Sequence, residues 1–342
     1  MADKHTMRAV QVAHAGGALE PTEKPRPAPA PGEVRIAVEA CGICHSDTVT
    51  KEGYIPGIPY PIVPGHEVLG TIDHLGEGVT GWTIGQRVGV GWYGGYCSRC
   101  EACRRGQFKR CRHGALTGVT RDGGYAEAMT ARAEALVAIP DDFSAADAAP
   151  LLCAGISTFN ALVRSKIRPG RTVVIQGVGG LGHLAIQFAA RMGYRVIAID
   201  KGPERGPLAL SLGAHHYIDA AADDAVAALR KRGGAAAILA VHDHAPSISA
   251  IADGLAVDGV LMVLGVPEQP IPVHARALLE QGVVVAGSAG GTAIETEDAI
   301  DFCSLWNVRP IIETVALADV PSAFARMKKG EARFRFVMVT GR

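Results

Sequence analysis

Apolar and polar positions along this chain follow two different rhythms. VRIAVEA (34–40) alternates as a half-buried strand does, and short β-type runs follow, VLGTIDHL and RVGVGW, among many glycines. An earlier strand is expected near Arg8–His14, and the proline-rich PTEKPRPAPAPG (21–32) after it reads as an extended connector. No long helical period occurs before about residue 139, so this stretch predicts a compact, mostly β domain. Near residue 144 the texture changes. SAADAAPLLCAGISTFNALV is alanine-rich, with Ser144 placed to cap a helix. Short apolar strands and helical segments then alternate. The strands are 172–177, 194–200, 215–220, 236–241, 259–265 and 282–288. Helices are expected at 179–193, 207–213 and 223–233. Six short apolar strands with helical crossovers specify a doubly wound parallel sheet. The tail predicts helices over 296–306 and in DVPSAFARMKKG. It ends in a strand, RFRFVMVT (333–340), that returns to pair with the first domain.

Length and composition narrow the classes. The 342 residues allow two or three domains. Lys plus Arg and Asp plus Glu both number 34, so no basic excess is available for phosphate backbones, and a nucleic-acid partner is not expected. No apolar run reaches the roughly 18 residues of a membrane span, and the first residues lack the apolar core of a secretory signal. Glycine, 42 residues, is in excess, as in nucleotide-binding α/β proteins. Four of the eight cysteines fall within fifteen residues, which in a large unsecreted chain favours metal over disulfides and points to the cytoplasm.

Three groups of residues carry candidate chemistry. Gly177-Val178-Gly179-Gly180-Leu181-Gly182 follows a strand, opens a helix and is succeeded by Asp200 at the end of the next strand. In that context G-x-G-x-x-G reads as a dinucleotide loop. Gly177 permits the turn, Gly179 lets backbone amides reach a pyrophosphate, and Gly182 allows helix–strand packing. Asp200 would accept bonds from ribose hydroxyls and repel a 2′-phosphate, favouring NAD over NADP. Lys201 and Arg205 pull the other way, since either could meet a phosphate. Cys97, Cys100, Cys103 and Cys111 supply four thiolates from one loop, a closed shell suited to structural zinc, with Arg99, Arg104, Arg105, Lys109 and Arg110 among them. The third group, Cys44, His66 and Cys153, is dispersed. Two thiolates and an imidazole would leave a fourth zinc position open, but spacing alone does not connect them, and three unrelated buried residues read equally well.

Taken in order, CGICHSD, VPGHEVLG, the four-cysteine loop, PLLCAG and GVGGLG resemble the zinc-containing medium-chain alcohol dehydrogenases, particularly bacterial ones, over essentially the whole chain. That resemblance implies a GroES-like catalytic domain (1–153 and 291–342) with a structural zinc lobe at about 92–113. A Rossmann dinucleotide-binding domain (154–290) interrupts it. It implies two zinc ions per subunit, with Cys44, His66 and Cys153 holding the catalytic one and Glu67 close by. Asp47 orients the histidine ligand, and Ser46 bonds the substrate oxygen. His45 and Arg335 contact pyrophosphate, while Trp92 lines the substrate pocket. The implied activity is reversible hydride transfer between a small alcohol and NAD, giving an aldehyde or ketone, in a homo-oligomer, tetramer or dimer. The alternatives are an NADP-dependent aldehyde reductase of the cinnamyl-alcohol type and a non-catalytic, redox-responsive zinc and NAD module. One departure stands out: many relatives carry a proton-relay histidine where this chain has Val49.

Overall fold

The structure, a computed structural model, describes residues 5–341. Its strands in chain order are β1 (Thr6–Val12), β2 (Leu19–Pro25), β3 (Glu33–Ile43), β4 (Val68–Leu75), β5 (Arg87–Val90), β6 (Ala128–Arg132) and β7 (Val137–Ala138). There follow β8 (Thr172–Gln176), β9 (Arg195–Asp200), β10 (His216–Asp219), β11 (Ala235–Ala240), β12 (Leu255–Val263) and β13 (Val284–Gly287). The chain closes with β14 (Ile312–Ala316) and β15 (Arg335–Val339). The described residues form two compact units: 5–156 with 290–341, and Ser157–Ala289.

The first unit is built on a seven-stranded sheet ordered β14-β15-β3-β4-β5-β7, with β6 also pairing β3. The returning tail strand forms as expected: β15 lies antiparallel to β3, Met338 opposite Cys41. Val34, Ile36, Val38, Tyr125, Phe336 and Met338 are fully buried in its core. The proline-rich connector is a correction. Its first half belongs to β2, antiparallel to β1 with Pro21 opposite Val10. Val10 donates its N–H away from β2, to the Tyr125 carbonyl at 2.8 Å. The Val10–Pro21 pair is therefore non-hydrogen-bonded, and the proline's missing N–H removes nothing from the ladder.

The second unit is a six-stranded parallel sheet ordered β10-β9-β8-β11-β12-β13, with helices in the crossovers. This is the doubly wound sheet that the alternating apolar runs predict, and the strand order reverses between β8 and β11. Val174, Ile197, Ile238 and Leu261 from adjacent strands fill its interior.

The alanine-rich stretch between these regions departs from one continuous helix. Ser144 caps as expected, its Oγ accepting from the Asp147 amide at 3.0 Å. The helix Ala145–Ala148 then tightens into a 3-10 turn, Ala149–Leu152, and a second helix starts at Ala154. Cys153 sits at the break (φ −132°, ψ −70°), not inside a helix. Pro150, lacking an N–H, falls in the turn that interrupts the helical ladder. No single helix among the described residues is long and apolar enough to cross a membrane; one pair bent by 48°, Ala145–Leu152 with Ala154–Ser165, passes on length and composition alone.

Candidate metal and dinucleotide sites

Cys44, His66 and Cys153 come together in the first unit from three places. Cys44 follows the end of β3, His66 lies in the extended run before β4, and Cys153 occupies the helix break. Their donor atoms and a Glu67 carboxylate oxygen all lie within 4.8 Å of one another. The two Sγ atoms are 4.0 Å apart, and His66 Nε2 is 3.4 Å from Cys153 Sγ. Tetrahedral zinc with bonds of about 2.3 Å to sulfur and 2.0–2.1 Å to nitrogen needs edges of about 3.8 Å and 3.6 Å, so the donors fit the ion.

A supporting layer fixes the imidazole. His66 donates from Nδ1 to Asp47 Oδ1 at 2.8 Å, which turns Nε2 toward the sulfurs. Asp47 is itself held. Its Oδ2 accepts from the Cys44 amide at 3.0 Å and from the Tyr125 hydroxyl. Behind the donors, Arg335 from β15 donates to Glu67 Oε1, and both side chains are buried. Glu67 Oε2 is buried with no hydrogen-bond partner, an orphan acceptor beside the donor set.

These contacts set the charge states. Cys44 is held well below the ordinary thiol range by its hydrogen bond with Cys153, with Arg335 and His66 adding to the effect, so it is the thiol poised to ionise. Burial works against protonating His66, but Asp47 outweighs it and the net shift is upward. Burial pushes Glu67 up to about 8 against the pull of Arg335.

The structure places the remaining expected residues as follows. Ser46 is half-buried in the 3-10 turn His45–Asp47, beside Cys44, and His45 in the same turn is exposed. Trp92 follows β5 and stands edge-on to His66, ring centroids 4.8 Å apart at 87°. Arg335, expected at a pyrophosphate, has its guanidinium on Glu67. Tyr125 escaped the sequence reading altogether. A lone tyrosine carries no pattern that links it to an aspartate 78 residues away.

The four-cysteine loop forms a second donor set. Its Sγ atoms lie within 4.8 Å of one another, with Cys100 at 3.6 Å from Cys103 and 3.9 Å from Cys111. These separations bracket the tetrahedral edge of about 3.8 Å. The loop supports its own sulfurs: the Cys100 amide donates to Cys97 Sγ and the Cys97 amide to Cys111 Sγ, both at 3.3 Å. Amide hydrogen bonds from Cys103 and Arg112 pull Cys100 down to about 6, while burial pushes Cys103 up to about 12. The basic residues among the cysteines are partly engaged elsewhere. Arg105 pairs with Glu101, and Lys109 donates to the Gly290 carbonyl at 3.3 Å.

The glycine loop lies in the second unit between β8 and the helix Gly182–Arg191. Gly177 has φ +109°, and a Cβ on Gly182 would lie 1.8 Å from the Gly177 carbonyl oxygen, so the turn and the close helix approach both require glycine. A Cβ on Gly179 would meet nothing within 4 Å, leaving a cradle above backbone amides of the kind a pyrophosphate fills. Asp200, at the end of β9, accepts from the Val178 and Lys201 amides, each at 2.7 Å. Arg205 donates to the Val178 carbonyl at 3.3 Å.

Comparison with known proteins agrees with this geometry. Residues 30–141 match the alcohol dehydrogenase GroES-like domain and residues 180–304 the zinc-binding dehydrogenase domain. The alcohol dehydrogenase notN of Aspergillus sp. (strain MF297-2) is 41% identical over 323 residues, covering 94% of this chain and 95% of that protein. Two solved structures have the same fold along the whole chain. The acetophenone reductase of Geotrichum candidum, in complex with NAD, has 26% identity and a TM-score of 0.87, covering 99% of this chain and 98% of that one. The Helicobacter pylori CAD, complexed with NADP(H), has 27% identity and a TM-score of 0.86, covering 98% and 99%. With both domain models matched in order along the chain, this protein belongs to the zinc-containing medium-chain alcohol dehydrogenases.

Proposed function

We propose that this zinc-dependent alcohol dehydrogenase interconverts a small alcohol and its aldehyde or ketone with NAD, using one catalytic and one structural zinc per chain. The observation that carries the reading is the meeting of Cys44, His66 and Cys153 at tetrahedral spacing, with Asp47 behind the imidazole. A zinc ion held there supplies Lewis acidity to the alcohol oxygen, and the nicotinamide supplies the hydride acceptor. The chain's residues do the rest. Asp47 and Tyr125 keep His66 Nε2 aimed at the donor set. Ser46, two residues after Cys44 in the turn that Cys44 precedes, takes the proton of the alcohol hydroxyl. Val49 carries no proton onward, so the proton passes from Ser46 to water. Trp92, packed against His66, excludes water and limits substrate size. The closed shell of Cys97, Cys100, Cys103 and Cys111 holds its lobe and takes no substrate.

On the coenzyme side, amides of the 177–182 loop cradle the pyrophosphate. Asp200 accepts ribose hydroxyls. Two amides fix its carboxylate, and a fixed negative charge there disfavours a 2′-phosphate. Lys201 and Arg205 favour the second reading, an NADP-dependent aldehyde reductase. The chain acts as a cytoplasmic homo-oligomer. In support of the homo-oligomer, β13 ends the sheet with an edge unpaired among the described residues, on which Val284 and Val285 are 50% and 41% exposed, an apolar edge that a second copy would cover.

The test is NADH or NADPH formation from ethanol, butanol and benzyl alcohol, with zinc counted per chain. Two zinc ions and a faster rate with NAD are expected, and Asp200→Gly shifts the preference toward NADP. Full activity in zinc-depleted protein overturns the metal reading, and a wild-type preference for NADP overturns the coenzyme reading.

A further inference from the structure

The sequence HDH at 242–244 has no place in the proposed chemistry, yet the fold puts it beside the glycine loop. β11 ends at Ala240, and the chain runs on through Val241, whose amide still donates to the Gln176 carbonyl at 3.2 Å. His242 thus stands just past the carboxyl end of β11, next to the end of β8. The strand order reverses between these two strands, and open α/β sheets take their ligands in the crevice at such a point. A Cβ on Gly177 would lie 3.7 Å from His242 Cδ2, so the ring packs against the turn that opens the loop. It also lies within electrostatic reach of Asp200 and Lys201.

The imidazole is held in one state. Its Nδ1 accepts from the His244 amide at 3.1 Å, which leaves the proton on Nε2. The turn that supplies this amide is itself anchored. His244 Nδ1 accepts from the Ser247 amide at 3.2 Å, and the Ser247 carbonyl accepts from Gln176 Nε2 at 3.0 Å. Gly265 closes over the backbone on the other side, where a Cβ would fall 1.8 Å from the His242 carbonyl oxygen. Burial draws the ring's pKa below the usual histidine value, which keeps this neutral form at pH 7. Nε2–H meets no protein acceptor among the described residues. The result is a half-buried donor of fixed tautomer beside the turn that opens the glycine loop.

We infer that His242 is a coenzyme-binding residue, donating from Nε2 to an acceptor oxygen of the dinucleotide's ribose–phosphate backbone. This rests on the dinucleotide reading of the glycine loop, and the experiment separates the two. NADH is titrated by fluorescence into zinc-loaded full-length protein, and ADP-ribose, which lacks the nicotinamide, is measured by competition. His242→Leu removes the donor, and His242→Gln keeps one at similar reach. The leucine variant is expected to weaken both ligands about five- to tenfold, the worth of one hydrogen bond, with KM for NAD rising more than kcat falls. The glutamine variant should bind within about twofold of wild type. Should leucine not fold, His242→Asn, whose donor is too short to reach, takes its place with the same expectation. Unchanged ADP-ribose binding in the leucine or asparagine variant overturns the assignment, as does a glutamine variant no better than leucine. A wild-type protein that binds neither ligand overturns the dinucleotide reading itself.

Discussion

The two sulfur-bearing clusters meet the same geometric demand by opposite means. Cys97, Cys100, Cys103 and Cys111 span fifteen residues, three of the four are partly exposed, and amides of the same loop brace the sulfurs. Cys44 and Cys153 are 109 residues apart, His66 lies between them in sequence, and their support is a buried layer of Asp47, Tyr125 and the Glu67–Arg335 pair, drawn from a turn, two loops and β15. A local cluster pays little chain entropy to assemble, but its four thiolates would fill a zinc shell completely. A dispersed cluster depends on the whole fold, and in return three such donors around a zinc ion would leave a position for substrate. The difference teaches that the closed site belongs to its loop and the open site to the tertiary structure.

Breaking each cluster tests that contrast. The largest effect is expected from His66→Ala, which removes a ligand of the open site. Turnover should vanish while NADH binding by titration persists, because the dinucleotide loop lies in the other unit. Asp47→Asn keeps the ligands but loosens the imidazole, and should lower zinc affinity or kcat by about 10–100-fold, read by competition with a chelator and by initial rates. Retention of full zinc affinity and rate would show that Asp47 gives the imidazole no support. The smallest effect on turnover should come from Cys111→Ser. Zinc should fall from two to one per chain and the lobe should be cut earlier by protease. Activity per folded chain should stay within about twofold, since the sites share no side chain. Loss of all turnover in that variant would erase the distinction between a closed structural loop and an open chemical site.

Legibility followed the range of the interactions. The six parallel strands, the Ser144 cap, the glycine loop and the four-cysteine loop were readable because each depends on neighbours a few residues away. β2 was missed because prolines ordinarily argue against a strand. They are accommodated here only because Val10 bonds outward to Tyr125, a contact no local pattern displays. The helix break that presents Cys153 was hidden in an alanine-rich run. The roles of Tyr125 and of Arg335 toward Glu67 were hidden by separations of 78 and 268 residues.

The amino-acid order alone determined the alternation of strands and helices, the dinucleotide turn and the thiolate loop, since backbone sterics and short-range spacing dictate them. Only the tertiary structure decided that Cys44, His66 and Cys153 share one point in space, that Asp47 and Tyr125 stand behind the imidazole, and that His242 faces the glycine loop. Packing between segments distant in sequence sets those distances, and no local preference of the chain encodes them.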